Sequence, residues 1–340
     1  MLRLSLGLAV AVFAMAGASL PVPAATLVGR SCAPNMSNSD CSRDCMTNIV
    51  RQILDSMVEH NPYTLPLATV YQATENSHPA ALGMMTLWRT VTKAGPPSLL
   101  AIDTTNGTAY FALDISEGND ATESVLRGRV KVVDRQITEL ELFINRYRGD
   151  HGFSFSAAEL PTNYEVLMSP PANRTKASRE TLLALSEALF STSSNFSVSV
   201  GEDCQFTEAG WKVVDPGTYG NGSLDPLGCT WPSDHPTDTN ARVGLVIDEE
   251  LGFVVTSGTI PGKVYPYENI SAFIPDRMTA AQEAQEVWLE EMKALGTMPL
   301  LSPTEATGDT LEVLQYYNDE LQAMQINVYL SGPNMISPWS

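Results

Sequence analysis

The stretch that decides the fold is Ile137–Arg146, with the sequence ITELELFINR. Its apolar residues Leu140, Leu142 and Ile144 recur at every second position. A period of two is typical of a β-strand that turns one face toward a core. We therefore expect this stretch to belong to a sheet with one apolar face.

The residues around this strand predict the rest of a sheet. Leu67–Thr74 and Ser124–Val133 are expected to be strands, and Gly83–Val91 a short helix. Leu99–Asp114 is expected to fold as a hairpin, because Asn106-Gly107 in its middle is the dipeptide favoured by tight hairpin turns. An antiparallel sheet follows from this order.

Two amphipathic helices are predicted, one ahead of each half of the chain. The second begins at Ser178 and places Leu182, Leu185 and Leu189 on one stripe. The first has Ser42 as its N-cap and Asn61-Pro62 beyond its end. Its apolar face consists of Met46, Ile49, Val50, Ile53, Leu54, Met57 and Val58.

The second half repeats the order of the first. Leu321–Leu330 alternates like Ile137–Arg146, and Arg242–Asp248 with Gly252–Thr259 predicts another hairpin. The tripeptides Thr74-Glu75-Asn76 and Thr207-Glu208-Ala209 lie at similar distances from the two helices. These similarities favour an internal duplication.

Three parts of the chain are therefore distinguished. Residues 1–24 are predicted to be a signal peptide, residues 40–150 a first domain and residues 175–340 a second. The second domain is longer because of an expected insertion at about residues 275–317, with a helix at Thr279–Leu295. The overall class is α+β.

The N-terminus predicts secretion, because Arg3 is followed by an apolar run and small residues suited to cleavage. Later in the chain, nothing approaches the roughly 20 apolar residues of a membrane span. The formal net charge of −19 argues against nucleic acids and anionic membranes as partners. A homo-oligomer is left open.

In an oxidising compartment the 5 cysteines are first interpreted as disulfide partners. Cys204 and Cys229 enclose a polar, loop-rich segment and are expected to pair. Cys32 is expected to join Cys41 or Cys45. The spacing supplies neither four zinc ligands nor a Cys-x-x-Cys redox motif, so no metal site is predicted.

Asn-x-Ser/Thr sequons agree with a secreted chain, and each marks an expected surface loop. They are at Asn35, Asn106, Asn173, Asn195, Asn221 and Asn269.

The order of these features resembles the SnoaL-like branch of the nuclear transport factor 2-like proteins, and more specifically a fungal secreted family with two such cones in tandem. The resemblance covers about residues 40–275 and 318–340. The residues that carry it are Cys41-Ser-Arg-Asp-Cys45, Thr74-Glu75-Asn76, Leu87-Trp88, Ile137-Thr-Glu-Leu140, Cys204, Cys229, Asp248-Glu-Glu-Leu-Gly252 and Ser337-Pro-Trp339.

The resemblance implies two bent antiparallel sheets, each wrapped on helices, with a pocket for a hydrophobic small molecule. It implies cofactor-free chemistry, and its most specific form is the hetero-Diels-Alder joining of a tropolone-derived quinone methide to a humulene-type terpene. The chain lacks a Rossmann glycine fingerprint, a P-loop and a nucleophile elbow. The alternative function is a non-catalytic secreted binder or carrier of a hydrophobic metabolite.

Three residues are candidates for catalysis. Arg146 is in phase with Leu140 and Leu142, so it could hold a ligand oxygen; the alternative is an ion pair at the rim. Glu75 and Glu208 could be general acids if burial raised their pKa, although residues at strand ends are more often turn formers.

Aromatic residues are the candidates for substrate binding. The alternative is core packing for Trp88 and, for the aromatics of the second half, packing of the insertion onto the second cone. Trp88 and Tyr71 are expected at the wall of the first pocket, and the others near the irregular part of the second half. The full set is Tyr71, Trp88, Trp211, Tyr219, Tyr265, Tyr267 and Trp288. By contrast, Arg127, Arg129 and Lys131 are expected in solvent or at the domain junction.

Overall fold

The structure is a computed structural model that describes residues 41–146, 155–191, 196–213, 226–231, 235–267, 270–278, 280–296 and 301–339. The predicted signal peptide, Cys32 and the sequons at Asn35, Asn195, Asn221 and Asn269 lie outside these residues, as does Tyr219. The described residues form one compact α+β unit. The domain boundaries at 40–150 and 175–340 stay a prediction.

The first half, residues 41–146, is a helix on a seven-stranded sheet of order β2-β1-β7-β6-β5-β3, with β4 beside β5. Ser42 caps the helix as predicted, since its hydroxyl accepts from the Cys45 amide at 3.3 Å. The elements are α1 (Arg43–Val58), β1 (Leu67–Glu75), β2 (His78–Pro79), α2 (Leu87–Thr90), β3 (Val91–Ala94), β4 (Leu99–Asp103), β5 (Thr108–Glu117), β6 (Thr122–Val133) and β7 (Gln136–Arg146).

A connection that contains α3 (Leu160–Glu165) leads to the second half, residues 178–339. Its sheets have the orders β10-β11-β15-β16-β8-β9 and β13-β12-β14-β17. The elements are α4 (Arg179–Leu189), β8 (Ser199–Glu208), β9 (Trp211–Lys212), β10 (Arg242–Asp248), β11 (Phe253–Ser257), β12 (Thr259–Tyr267), β13 (Ile270–Pro275), α5 (Ala280–Leu295), β14 (Thr304–Thr310), β15 (Glu312–Tyr317), β16 (Glu320–Ile326) and β17 (Val328–Ser331).

The two halves share an unusual pairing pattern. The strand after each long helix, β1 or β8, pairs in parallel with the last long strand, β7 or β16, while the other pairs are antiparallel. Glu75 is opposite Leu142 in one half, and Glu208 is opposite Ile326 in the other. The two tripeptides therefore lie at corresponding positions in the strand register.

Three neighbouring strands of the second half are interrupted at positions that lie side by side in the sheet. The breaks fall at Gly258 between β11 and β12, at Leu311 between β14 and β15, and at Asn327 between β16 and β17. The Thr310 amide donates to the Gly258 carbonyl at 2.9 Å, and the Leu311 amide donates to the Asn327 carbonyl at 3.1 Å. The three aligned interruptions separate the six-stranded sheet from the four-stranded sheet.

A buried apolar cluster joins the two halves. It contains Tyr110 and Phe143 from the first sheet, Tyr164 from α3, and Val255 and Val313 from the second sheet. The alternate residues of β11 and β15, such as Val254 and Leu314, pack instead with Leu182 and Leu185 of α4. The six-stranded sheet therefore buries both of its faces. Arg127 and Arg129 lie buried at the junction and not in solvent.

Two reciprocal ion pairs also hold the halves together. Arg179, the first residue of α4, donates to both carboxylate oxygens of Asp103 at 3.0 and 2.6 Å. In the opposite sense, Arg43, the first residue of α1, donates to Asp248 at 2.9 and 2.5 Å. Each aspartate also accepts a backbone N–H from the other half. This exchange resembles the two-fold interface of a symmetric dimer within one chain.

One expected disulfide is confirmed and another is wrong. Cys204 pairs with Cys229. Cys41, however, pairs with Cys45 and not with Cys32, because one helical turn brings their Cα atoms to 5.3 Å, within the range a disulfide can span.

The predicted helix at Thr279–Leu295 corresponds to α5, but two strands were missed in the segment assigned to the insertion. β14 and β15 belong to the second-half sheets. Their alternation is hidden because Thr307, Asp309, Glu312 and Gln315 are buried polar residues. Among the described residues no helix is long and apolar enough to cross a membrane.

Candidate functional site

The structure brings Arg146 and Glu75 together at the N-terminus of α2. The Glu75 carboxylate accepts from the amides of Thr86 and Leu87 at 3.1 and 2.9 Å, which makes it a helix cap. Arg146 donates twice to Glu117, at 2.9 Å each, and once to the Thr86 hydroxyl at 2.6 Å. These contacts favour the structural alternatives, a turn former and a rim ion pair.

Glu117 holds this network together. Burial alone would raise the pKa of its carboxyl, but hydrogen bonds from Arg146, Thr90 and Ser124 outweigh burial and lower the pKa. Glu117 is therefore the ionised partner of Arg146.

Glu208 and Trp211 lie at the corresponding place in the second half. They face each other across the β8–β9 turn, and both are partly buried. Glu208 is therefore not part of the Glu75 and Arg146 network.

Trp88 is a core residue. It is 2% exposed, and its indole N–H donates to the Ser56 hydroxyl at 3.1 Å beneath α1. Tyr71 is partly buried on β1. Neither position supports the expectation that they form one open pocket wall.

Tyr265 and Trp288 do come together. They pack with Ile274, Leu289 and Met278 where α5 covers the four-stranded sheet. The Tyr265 hydroxyl donates to Glu286 at 2.5 Å. This arrangement fits the packing alternative. The side chain of Tyr267 lies outside the described part of the chain.

The concave face of the second half contains a cavity of about 320 Å³ that the sequence analysis did not locate. Strands β8, β12, β13, β15, β16 and β17 and helix α5 contribute to it. Its apolar lining consists of Phe206, Ile260, Phe273, Met324, Ile326 and Val328, and its polar lining includes Thr230, His235, Gln282 and Glu312. A mainly apolar cavity with a few polar groups is typical of small-molecule sites.

Corresponding residues of the two sheets differ at the place where Glu312 lines the cavity. In the first half the Phe111 ring lies over Gly128, so closely that a Cβ on Gly128 would be 2.3 Å from Cζ. In the second half the smaller Thr256 stands opposite Glu312. In the first half the row of paired residues is Glu75, Leu142, Gly128 and Phe111. In the second half Glu208 pairs with Ile326, and Glu312 pairs with Thr256. A carboxylate thus occupies the space that a phenyl ring fills in the first half.

Glu312 forms a buried pair with His235. The His235 Nε2 atom is 2.7 Å from Oε2 of Glu312, and the two side chains are 3% and 1% exposed. The other ring nitrogen, Nδ1, is 2.9 Å from the Pro236 carbonyl. Phe190 packs edge-on against the imidazole at 4.6 Å. Both ring nitrogens face acceptors, which suits the doubly protonated imidazolium.

The electrostatics agree with this assignment. Burial alone would lower the pKa of His235, but the charge of Glu312, its hydrogen bond and two backbone acceptors outweigh burial and raise the pKa. The second oxygen of Glu312, Oε1, makes no hydrogen bond with the described residues. One carboxylate oxygen is therefore fixed by a cation while the residue lines an apolar cavity.

Sequence reasoning missed both members of this pair. His235 stands alone in a Pro- and Asp-rich stretch, and Glu312 lies in the segment interpreted as an insertion. The signal that could have found Glu312 is the repeat itself, because β15 corresponds to β6 in the strand order and carries Glu312 where β6 carries Gly128.

No group of three or more metal-ligating side chains is found among the described residues. No protein-family model and no curated protein matches the chain. The assignment of a site therefore rests on the geometry of the cavity and of its buried pair.

Proposed function

We propose that the chain consists of two tandem SnoaL-like cones and that the second cone is a cofactor-free lyase or cyclase acting on an apolar small molecule. The proposal is supported by the shared pairing order of the two halves, by the parallel contact of β1 with β7 and of β8 with β16, and by the concave apolar lining of the second half. The observation that carries it is the His235–Glu312 pair in the wall of the cavity.

The cavity volume limits the reaction. About 320 Å³ lies near the lower end of the roughly 300–1,000 Å³ range of small-molecule sites. An intermolecular cycloaddition would have to place a quinone methide and a terpene in this space together. The volume favours a reaction of one substrate, such as an isomerisation, a dehydration or a ring closure.

The chemistry follows from the pair. Glu312 is the base: its carboxylate takes a proton from an acidic C–H of the bound substrate. In an isomerisation or a ring closure it returns that proton to another atom of the same molecule, and in a dehydration it passes the proton to the departing hydroxyl as the C–O bond breaks, so that water leaves. His235 is a positioning residue, because both of its N–H groups are engaged with Glu312 and the Pro236 carbonyl. Its positive charge is the counter-charge of the Glu312 carboxylate in this apolar wall.

The test compares two variants in one assay. Purified protein is incubated with candidate single substrates and with pairs of quinone methide precursors and humulene-type alkenes, and products are followed by chromatography. We expect Glu312→Gln to abolish turnover while ligand binding is retained, and Arg146→Gln to leave turnover nearly unchanged. Loss of turnover in Arg146→Gln with full activity in Glu312→Gln would refute this site.

A carrier function is the second candidate, because the buried pair is internally satisfied through both nitrogens of His235. A carrier predicts that Glu312→Gln changes only ligand affinity and that no candidate substrate is consumed above the background rate.

A further inference from the structure

The cavity of about 320 Å³, which we call the second-half cavity, presents a carboxylate oxygen that the protein itself does not use. This atom is Oε1 of Glu312, since Oε2 is already 2.7 Å from Nε2 of His235. The Glu312 side chain as a whole is 1% exposed. A ligand that enters the cavity must therefore be compatible with this oxygen.

Oε1 faces the cavity. It makes no hydrogen bond with any described residue. It is also not one of the unpartnered polar atoms of the described residues that are fully enclosed by protein. Oε1 therefore retains accessible surface, and because Glu312 lines the cavity, a molecule bound there can reach it.

No other charge in the described lining is available to a ligand. His235 is the second charged group, and both of its ring nitrogens already face acceptors, namely Oε2 of Glu312 and the Pro236 carbonyl. The other polar lining residues, Thr230 and Gln282, are uncharged and can donate as well as accept. The carboxylate oxygen only accepts, so it is the group that selects between ligands.

The free oxygen disfavours two kinds of ligand group. A carboxylate or a phosphate would place a second negative charge beside Glu312 in an apolar wall, where charges repel more strongly than in water. A carbonyl or ether oxygen would direct its lone pairs at those of Oε1. The oxygen of a quinone methide is of this second kind, so it does not match this part of the cavity.

The apolar lining suits an aromatic body. The Phe273 ring lies across Gly262 and Gly308, where an added Cβ would be 2.8 and 3.1 Å from the ring carbons. Phe206 is the second phenyl of the lining, and both phenylalanines are partly exposed. Aromatic rings pair favourably in offset or edge-on arrangements, so an aromatic ligand gains contacts that an aliphatic one does not.

We propose that the second-half cavity selects an uncharged phenol, whose hydroxyl donates a hydrogen bond to Oε1 of Glu312. This inference rests on the proposed function, because it names the substrate class of the same cavity. The hydroxyl uses one lone pair of Oε1 and leaves the other for the proton transfer. A hydrogen bond to a charged acceptor is roughly twice as strong as one between neutral groups, so the hydroxyl carries much of the selectivity.

The test compares three ligands of similar shape by calorimetric titration of the wild type at neutral pH. 2-Naphthol is an uncharged donor, 2-methoxynaphthalene lacks the donor, and 2-naphthoate is an anion. 2-Naphthol should bind about tenfold more tightly than 2-methoxynaphthalene, as expected for a hydrogen bond to a charged group. 2-Naphthoate should bind at least about a hundredfold more weakly than 2-naphthol, because it buries an uncompensated charge.

Three variants assign the effect to this cavity. Ile326→Trp fills the cavity and should abolish binding of 2-naphthol. Phe206→Leu alters the apolar wall and leaves Glu312 in place, so it should weaken 2-naphthol and 2-methoxynaphthalene by the same factor. Glu312→Gln removes the negative charge, so 2-naphthoate should gain affinity relative to 2-naphthol.

The comparison in the wild type does not depend on how well a variant folds. Equal affinity for 2-naphthol and 2-methoxynaphthalene overturns the proposal, as does tighter binding of 2-naphthoate or no binding of any of the three. The outcome is also separate from catalysis. If the ligand order holds but no candidate substrate is consumed, the selectivity stands and the lyase assignment fails; turnover together with equal binding of the three ligands gives the reverse.

Discussion

Replacing Glu312 by glutamine should change how the stability of the protein depends on pH. The carboxylate is 1% exposed and contacts His235 at 2.7 Å, so the substitution removes one member of a buried ion pair. Breaking such a pair costs roughly 3–5 kcal/mol of unfolding free energy when the remaining charge stays buried. We expect a loss of this size below pH 6, where His235 is protonated.

The direction of the pH dependence follows from His235. In the wild type its pKa is raised above the ordinary value of 6.5, so its contribution to stability is complete below about pH 6.5 and is lost as the pH rises through the folded pKa. In Glu312→Gln, burial dominates and the pKa should fall below 6.5. Stability should then decrease as the pH falls, opposite to the wild type.

The assay combines chemical denaturation from pH 5 to 9 with NMR titration of the imidazole. At high pH the loss should shrink, because the glutamine amide can donate to neutral His235. An unchanged His235 pKa in Glu312→Gln, or the same pH slope in both proteins, would refute the assignment of the pair.

Three further variants test other parts of the structure. Gly128→Ala should lower the free energy of unfolding by about 1–3 kcal/mol, measured by urea denaturation, because the added Cβ would be 2.3 Å from the Phe111 ring. A change below about 0.5 kcal/mol would contradict the packing of this ring on Gly128. Asp103→Asn should lower the free energy of unfolding by about 3 kcal/mol. This is the lower end of the range for a broken buried pair, because the Arg179 side chain is 24% exposed. A loss below about 1 kcal/mol would show that this ion pair does not hold the halves together. Trp288→Ala should weaken ligand retention by loosening α5, which also lines the second-half cavity, and unchanged affinity in a titration would remove this residue from the site.

Local patterns predicted much of the fold. The strand Ile137–Arg146 and the N-caps Ser42 and Ser178 are confirmed within a residue or two. The hairpin is also confirmed, but its loop is the four residues 104–107 rather than a tight turn on Asn106-Gly107 alone, and its second strand runs to Glu117. They depend on periodicity and capping, which act over a few residues and can be recognised in a single sequence.

Contacts between halves could not be predicted in the same way. The Glu141 face of β7 alternates as a solvent-exposed face would, yet Glu141 is 1% exposed because it pairs with Arg129 and Arg242 at the junction. β14 and β15 were missed for a similar reason. A buried polar residue is tolerated when it pairs with a residue that is distant in the sequence. The local alternation of polar and apolar residues does not reveal such a partner.

The second-half cavity was missed because its position depends on which side chains pack against each other in the core. Phe111 and Thr256 lie at corresponding positions, and the Phe111 ring covers Gly128 whereas Thr256 stands opposite Glu312. The structure brings the two candidate catalytic residues Arg146 and Glu75 together, but in a network that caps α2.

The most direct test of the ligand site is a fluorescence titration with 1-aminoanthracene, a small neutral apolar probe. The wild type should bind one probe per chain, and Ile326→Trp, which fills the second-half cavity from its wall, should abolish binding. Val287→Trp adds the same side chain at a position that is 58% exposed and should bind like the wild type. Equal binding by wild type and Ile326→Trp would contradict the assignment of this cavity as the ligand site.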